Sequence, residues 1–341
     1  MYSGKGALGV KEIPEPVLTD DNAVIKVLAA SVCGTDVRIH THGSDKVVPP
    51  RVIGHEVCGT VTGVGKKVKN VRLGSTVLVA PALGCGECRE CMSGHTNMCD
   101  NLKTIGFNYD GAFEEYMEVP AHAIRIGHVI EVEKRVDPAV VPLAEPVACC
   151  VNSQEYLDIK EGDSVLIFGA GFIGCVHAEL ALMKGAGKVV IAEISDERFS
   201  HAKRLVKGVE FVNTSFTDIE KKMKELTGGR GADVIITACP SGKAHETALK
   251  AAAKMGRVSL FGGIPEPAKG FLDSNIIHYK ELSIHGAHAS TAAQNRLALG
   301  WIASGEMKVG KYVGGVYGLD ALEEAFAAIK SGNVMKVIVK P

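Results

Sequence analysis

Four cysteines fall within fifteen residues, as Cys85-x2-Cys88-x2-Cys91-x7-Cys99, in a stretch rich in glycine. Four thiolates satisfy a tetrahedral zinc ion, and a glycine-rich backbone folds readily around a small ion. Such a site is closed to water, so it stabilises a lobe and does no chemistry. An iron–sulfur cluster is the alternative occupant. A zinc ribbon that reads nucleic acid would want basic and aromatic neighbours, whereas this loop sets Arg89 and His95 among Glu87 and Glu90.

A second set is spread more widely: Cys33-Gly-Thr35-Asp36, Gly54-His55-Glu56 and Leu143-Ala-Glu145-Pro146. Glu145 stands in an otherwise apolar run, where a carboxylate is costly to bury without a partner. Thiolate, imidazole and carboxylate with one open position suit a catalytic zinc acting as Lewis acid on a substrate oxygen. The chain would then hold two zinc ions with different tasks.

The third element is a turn. Val165-Leu-Ile-Phe168 runs into Gly169-Ala-Gly171-Phe172-Ile173-Gly174 and then into a helical pattern, the setting in which G-x-G-x-x-G binds a dinucleotide. Gly169 permits the tight turn, Gly171 lets the backbone approach the pyrophosphate, and Gly174 lets helix and strand pack closely. Glu193 follows nineteen residues after Gly174, where a carboxylate accepts from the ribose hydroxyls and repels a 2′-phosphate, favouring NAD over NADP. Arg198 is the nearby cation that could receive a phosphate instead.

The elements that must position these groups change character along the 341 residues, a length that suggests two domains. The first third reads as short strands at Ala23 to Ala30, Val57 to Val64, Ser75 to Val79 and Ala112 to Val119, a mostly β, barrel-like domain. From Gly162 strands alternate with helices: strands at Val165 to Phe168, Val189 to Ala192, Val209 to Val212, Val234 to Thr237 and Val258 to Phe261; helices at Phe172 to Met183, Asp196 to Val206, Asp218 to Leu226 and Lys243 to Met255. That alternation predicts a parallel sheet with helices on both faces. Helices near Ala292 to Ala303 and Leu319 to Lys330 and a strand from Val334 to Lys340 complete the chain.

With Lys+Arg 38 against Asp+Glu 39, the net charge of -1 supplies no field that would recruit nucleic acid or an anionic membrane. No apolar stretch reaches the roughly 20 residues of a transmembrane helix, and Met1 to Val10 lacks the apolar centre of a signal peptide, so a cytoplasmic protein is expected. Clustered cysteines in a reducing compartment point to metal. The scattered Cys58, Cys149, Cys150, Cys175 and Cys239 read as buried thiols, and His40 and His42 as solvated loop histidines.

In chain order, Cys33-Gly-Thr-Asp36, Gly54-His-Glu56, the four-cysteine lobe, Asp110-Gly-Ala-Phe113, Glu145-Pro146 and Gly169 to Gly174 resemble the zinc-dependent medium-chain dehydrogenases, and within them the sorbitol (polyol) dehydrogenase branch. The resemblance spans nearly the whole chain. It implies an α/β architecture: a GroES-like β-barrel catalytic domain from residues 1–148 and 286–341, with a structural zinc lobe at about 84–100, and a Rossmann doubly wound parallel-sheet domain at 149–285. It further implies catalytic zinc on Cys33 and His55, with Glu56 and Glu145 as direct or water-mediated ligands that exchange. Thr35 would bond the substrate hydroxyl and pass its proton onward, and Asp36 would orient His55.

Alcohol dehydrogenases proper usually carry cysteine where this chain has Glu145, which turns the resemblance toward polyols and vicinal diols. Many relatives carry a histidine relay five residues after the catalytic cysteine; this chain has Arg38, whose pKa is too high for shuttling and which could meet an anion. The expected activity is therefore oxidation of a secondary alcohol of a polyol or diol, with NAD as hydride acceptor and two zinc ions per chain. Threonine-type, butanediol-type and phosphorylated or acidic sugar-alcohol dehydrogenases are the alternatives, and a non-catalytic nucleotide-binding zinc protein is the one from another class. Relatives are dimers or tetramers, and the apolar segment Leu282 to Ala289 is the expected pairing edge.

Overall fold

Apolar runs without alternation mark strands covered on both faces, and Ser164–Phe168 is such a run, buried at every position. In the computed structural model, which describes residues 1–264 and 268–341, this strand lies inside a fully parallel six-stranded sheet. The order across the sheet is Glu210–Asn213, Lys188–Glu193, Ser164–Phe168, Ala232–Thr237, Ala252–Leu260, Ser283–Gly286. In chain order that is 3-2-1-4-5-6, so the strand order reverses beside Ser164–Phe168, where doubly wound sheets bind their ligands. Ile167 pairs with Ile191 on one side and Ile236 on the other. These strands belong to one of two compact units, Cys149–His288; the other comprises Met1–Ala148 and Ala289–Pro341.

Helices connect the strands, and their starts are chemically marked. Ser195, Asp218 and Ser241 each accept an amide hydrogen at the head of Asp196–Leu205, Ile219–Leu226 and Gly242–Ala251. The last of these is shorter than its periodicity predicts. Residues 252–255 belong to the strand Ala252–Leu260 and not to a helix ending at Met255. The cause is tertiary: Ala252 pairs with Ala232, and the Lys280 ammonium takes the carbonyls of Leu249, Lys250 and Ala252, closing the helix from outside.

The other unit is built on a seven-stranded sheet. Ala23–Ser31 pairs antiparallel with Glu56–Val64, which leads on to Thr76–Val79 and Val129–Glu131. On its other side Ala23–Ser31 is shared: its first half pairs with Tyr116–Val119 and its end with Lys336–Val339 from the far end of the chain. Val313–Tyr317 lies parallel to that last strand. Ile25, Val57, Val79, Met117, Val337 and Phe326 share the core beneath. Two expected elements are shorter than their patterns. Only Tyr116–Val119 of the run from Ala112 is a strand, because the amides of Ala112 and Phe113 are taken by Gly54 and Ile53. The run from Leu319 begins as a 3₁₀ turn, Leu319–Ala321, before the helix Leu322–Ser331. Among the described residues no helix is long and apolar enough to cross a membrane.

Candidate metal centres and nucleotide turn

Register brings the first set together. Ser31 pairs with Glu56, so the antiparallel count sets His55 level with Val32, one residue before Cys33. Cys33 caps the helix Gly34–His42, and Asp36 in its first turn accepts the Cys33 amide at 2.9 Å through Oδ2. The other oxygen of this fully buried carboxylate lies 3.2 Å from His55 Nδ1, which leaves Nε2 as the free donor of the ring. Burial opposes a charge on His55, but the Asp36 carboxylate, aided by Cys33, outweighs it and holds the imidazole well above its ordinary pKa. Ligand atoms of Cys33, His55 and Glu56 all lie within 4.8 Å of one another. Thiolate, imidazole and carboxylate converging this closely fit a zinc ion.

Glu56 is not free to turn. Both its oxygens accept from Lys336 Nζ, at 2.6 and 2.5 Å, and the Ser31 hydroxyl donates to one of them. Lys336 also donates to the Val32 carbonyl at 3.1 Å. Sequence reasoning missed this residue, although a charge heading the apolar strand Lys336–Val339 was a visible signal. Glu145 opens the helix Ala144–Leu157, is 6% exposed, and lies outside the three-residue group; after Glu56 and Cys33, its charge helps keep the buried Lys336 ammonium protonated.

Thr35 and Arg38 ride on the helix that Cys33 caps, Thr35 half-buried and Arg38 exposed. His40 and His42 lie on the same helix and not in a loop, and the His40 ring packs edge-on against Phe326 at 5.7 Å.

In the lobe, Cys85 and Cys91 sulfurs are 3.9 Å apart and those of Cys88 and Cys99 are 3.8 Å apart, with all four within 4.8 Å. A zinc–sulfur bond of about 2.3 Å gives a tetrahedron with edges of about 3.8 Å, so the four thiols already have the spacing of an occupied site. Amides aim at the sulfurs: Cys85 and Asn101 donate to Cys99, and Glu87 and Cys88 donate to Cys85. Those last two bonds pull the Cys85 thiol down to about 7.

In the parallel-sheet unit, Ser164–Phe168 ends at Gly169, whose φ of 107° excludes most side chains, and Gly171 caps the helix Phe172–Met183. A Cβ at Gly174 would land on the Gly169 carbonyl oxygen. Phe172 and Ile173 form the first helical turn. Glu193, 7% exposed, braces this turn: it accepts from Ala170 at 2.8 Å and, through its other oxygen, from Ile194 and Ser195 at 2.8 and 2.9 Å. Arg198 is exposed on the next helix.

Of the scattered cysteines, Cys58, Cys150 and Cys175 are buried, and burial pushes the Cys58 thiol up to about 12. Cys149 and Cys239 are only half-buried, contrary to expectation. Cys239 follows the end of Ala232–Thr237 and stands beside Gly169, at the ligand end of the sheet where side chains stay accessible.

Two family profiles match the chain. The alcohol dehydrogenase GroES-like domain covers residues 19–127, including Cys33, His55 and the lobe, and the zinc-binding dehydrogenase profile covers residues 173–304. The chain is 33% identical over 334 residues to L-threonine 3-dehydrogenase of Pyrococcus horikoshii, spanning 96% of this chain and 92% of that one. Among solved structures, one from Sinorhizobium meliloti 1021, described as a zinc-binding dehydrogenase bound to NADP, superposes with a TM-score of 0.91 at 28% identity, covering 98% of this chain and 96% of its own. Another, from Escherichia coli CFT073, described as a short chain alcohol dehydrogenase complexed with NADH, gives 0.90 at 27% identity over 99% and 97% of the two chains. Two clusters of metal donors, a nucleotide turn on a 3-2-1-4-5-6 sheet and these likenesses agree, and the chain belongs to the zinc-dependent medium-chain dehydrogenase/reductase superfamily.

Proposed function

We propose that this oxidoreductase interconverts a secondary alcohol of a polyol or vicinal diol with its ketone, using NAD, and carries two zinc ions per chain. The observation that carries the reading is the convergence of Cys33, His55 and Glu56 in one unit, apart from the four-thiol lobe that would hold the structural ion. Glu193 at the glycine turn supports NAD, since a carboxylate there repels a 2′-phosphate. Ten free cysteines fit a reducing compartment such as the cytoplasm. The strand Ser283–Gly286 ends the parallel sheet, and pairing with a second copy along that edge would give a dimer or part of a tetramer.

Zinc, when bound, supplies a Lewis acid that lowers the pKa of the substrate alcohol, and NAD supplies the hydride acceptor. Cys33 and His55 would hold the metal, with Glu56 and Glu145 as direct or water-mediated ligands. Asp36 fixes the imidazole so that the ring has one tautomer and one direction. The Thr35 hydroxyl would accept the substrate proton and hand it on. Arg38 cannot relay it at neutral pH, so a water held by Glu145 is the proton's way out.

A second reading is a threonine 3-dehydrogenase, favoured by the identity to the archaeal enzyme over almost the whole chain. Exposed Arg38 favours a third, an alcohol bearing a phosphate or carboxylate. One experiment separates them: NADH formation by zinc-loaded protein offered sorbitol, xylitol, butanediol, threonine and sugar-alcohol phosphates. Turnover of a free polyol or diol is the expected result. Turnover of threonine or of the phosphates alone would replace the proposal.

A further inference from the structure

In the unit that holds both metal groups, a cavity of about 800 Å³ opens between the start of the chain, residues 113–116 and residues 319–324. No member of either metal group lines it. Its volume lies within the roughly 300–1,000 Å³ of ordinary ligand sites. Ile13, Val52, Phe113 and Leu322 give it an apolar lining, and Glu12, Glu15, Glu115, Asp320, Glu323 and Glu324 add carboxylates. Lys11 and the terminal ammonium are the only cations among the lining residues, and the ammonium donates to the Gly9 carbonyl at 2.7 Å.

Glu114 lines the same cavity and is 8% exposed. Among the described residues its carboxyl makes no hydrogen bond and no ion pair. A carboxylate is costly to bury without a partner. Burial first, then Asp110 and more weakly Glu118, push it up to about 8, against a pull from the terminal ammonium. A cation brought into the cavity would let it ionise and supply the missing bond.

The main chain here lacks partners as well. Residues 9–19 form neither helix nor strand, and among the described residues the amides and carbonyls of residues 10–13 make no hydrogen bond. Val10 and Ile13 are 66% and 42% exposed. Immediately before this run, Met1 and Gly9 exchange two main-chain bonds, so residues 10–13 extend an edge that already carries one strand pairing. The amide and carbonyl of Glu114 are also unbonded. Open main-chain donors and acceptors suit an added strand, whereas a small amine would leave them unused.

We propose that this cavity docks an extended peptide of another protein, paired as a strand with residues 10–13 and carrying a lysine or arginine whose side chain reaches Glu114. Side chains alternate along a strand, so a peptide of alternating basic and apolar residues presents the cation on one face and apolar groups on the other.

The test is the fluorescence anisotropy of a labelled Val-Lys-Val-Lys-Val peptide titrated with zinc-loaded protein. Saturable binding is expected, weaker by at least about tenfold in Glu114→Gln, which removes a buried charge and so does not endanger folding. N-methylating the peptide along one edge or the other in turn keeps its charge, and one of the two forms is expected to bind at least about tenfold more weakly. At about pH 7, calorimetry in buffers of different ionisation heat should show about one proton released on binding, as Glu114 ionises. No saturable binding, equal affinity in Glu114→Gln, or no proton release would overturn the proposal. Full affinity of both methylated forms would also overturn it, because the carboxylates would then hold any polycation. A dimer that dissociates in Glu114→Gln would assign the cavity to a second copy instead. Natural protein heavier than these 341 residues, which takes the peptide only after a preceding segment is cleaved, would assign it to the chain itself; either result overturns the proposal.

Discussion

At the scale of single residues, carboxylates do different work because of what faces them. Asp36 accepts the Cys33 amide and faces His55 Nδ1, so it sets the ring direction without joining the donor cluster. Asp36→Asn should lower metal affinity at this site by roughly 10–100-fold, read by chelator competition, while the lobe keeps its ion. Glu193 accepts three amides at the glycine turn. In Glu193→Gln one of those amides faces an NH₂ group, and the charge that repels a 2′-phosphate is gone. The NAD-over-NADP preference in kcat/KM should fall by roughly tenfold, about 1.4 kcal/mol; an unchanged ratio would remove Glu193 from coenzyme selection. Residue types and spacing pointed to Cys33, His55 and Glu56, because ligand chemistry is written in the side chains. Lys336 was not legible as their neighbour, since its partner is 280 residues away and only strand pairing joins them.

At the scale of elements, the glycine turn and the lobe are tight enough that small changes should be felt. Gly174→Ala places a methyl on the Gly169 carbonyl, so the helix Phe172–Met183 must move off its strand. Coenzyme binding should weaken by at least about tenfold in a titration of nicotinamide fluorescence, with the lobe metal unaffected. This turn was readable because strand, glycines and helix are contiguous. The end of Gly242–Ala251 was not, because Ala252, Ala253 and Ala251 suit a helix as well as a strand, and the decision came from Lys280 and from pairing with Ala232. The strand Lys336–Val339 could likewise be read as a strand, but nothing in its pattern says that it lies beside Ala23–Ser31; only the family resemblance joined the two ends of the chain.

At the scale of the whole molecule, near-neutral net charge hides strongly perturbed groups, Glu114 among them. Glu114 is 8% exposed, and burial first, then Asp110, push its carboxyl from 4.5 up to about 8, against a smaller pull from the chain's terminal ammonium. A raised folded pKa means that the folded chain binds the proton more tightly. Its contribution to stability is fully present below about pH 4.5 and is lost as pH rises toward 8, by an amount on the order of a few kcal/mol. Glu114→Gln should therefore unfold several degrees higher than wild type at pH 8 and at nearly the same temperature at pH 5; equal shifts at both would remove the titration. Composition counted this carboxylate as one of 39 acidic residues, and only the packing shows that it is buried.

If one metal does chemistry and another holds a lobe, the two separate when metal is counted in paired proteins. Purified wild-type protein should contain two zinc ions per chain and Cys33→Ser one, with dehydrogenase activity down on the order of 10³-fold and thermal unfolding little changed. A single zinc in wild type that survives Cys33→Ser but is lost with Cys91→Ser would contradict the account, leaving a nucleotide-binding protein with a structural metal alone.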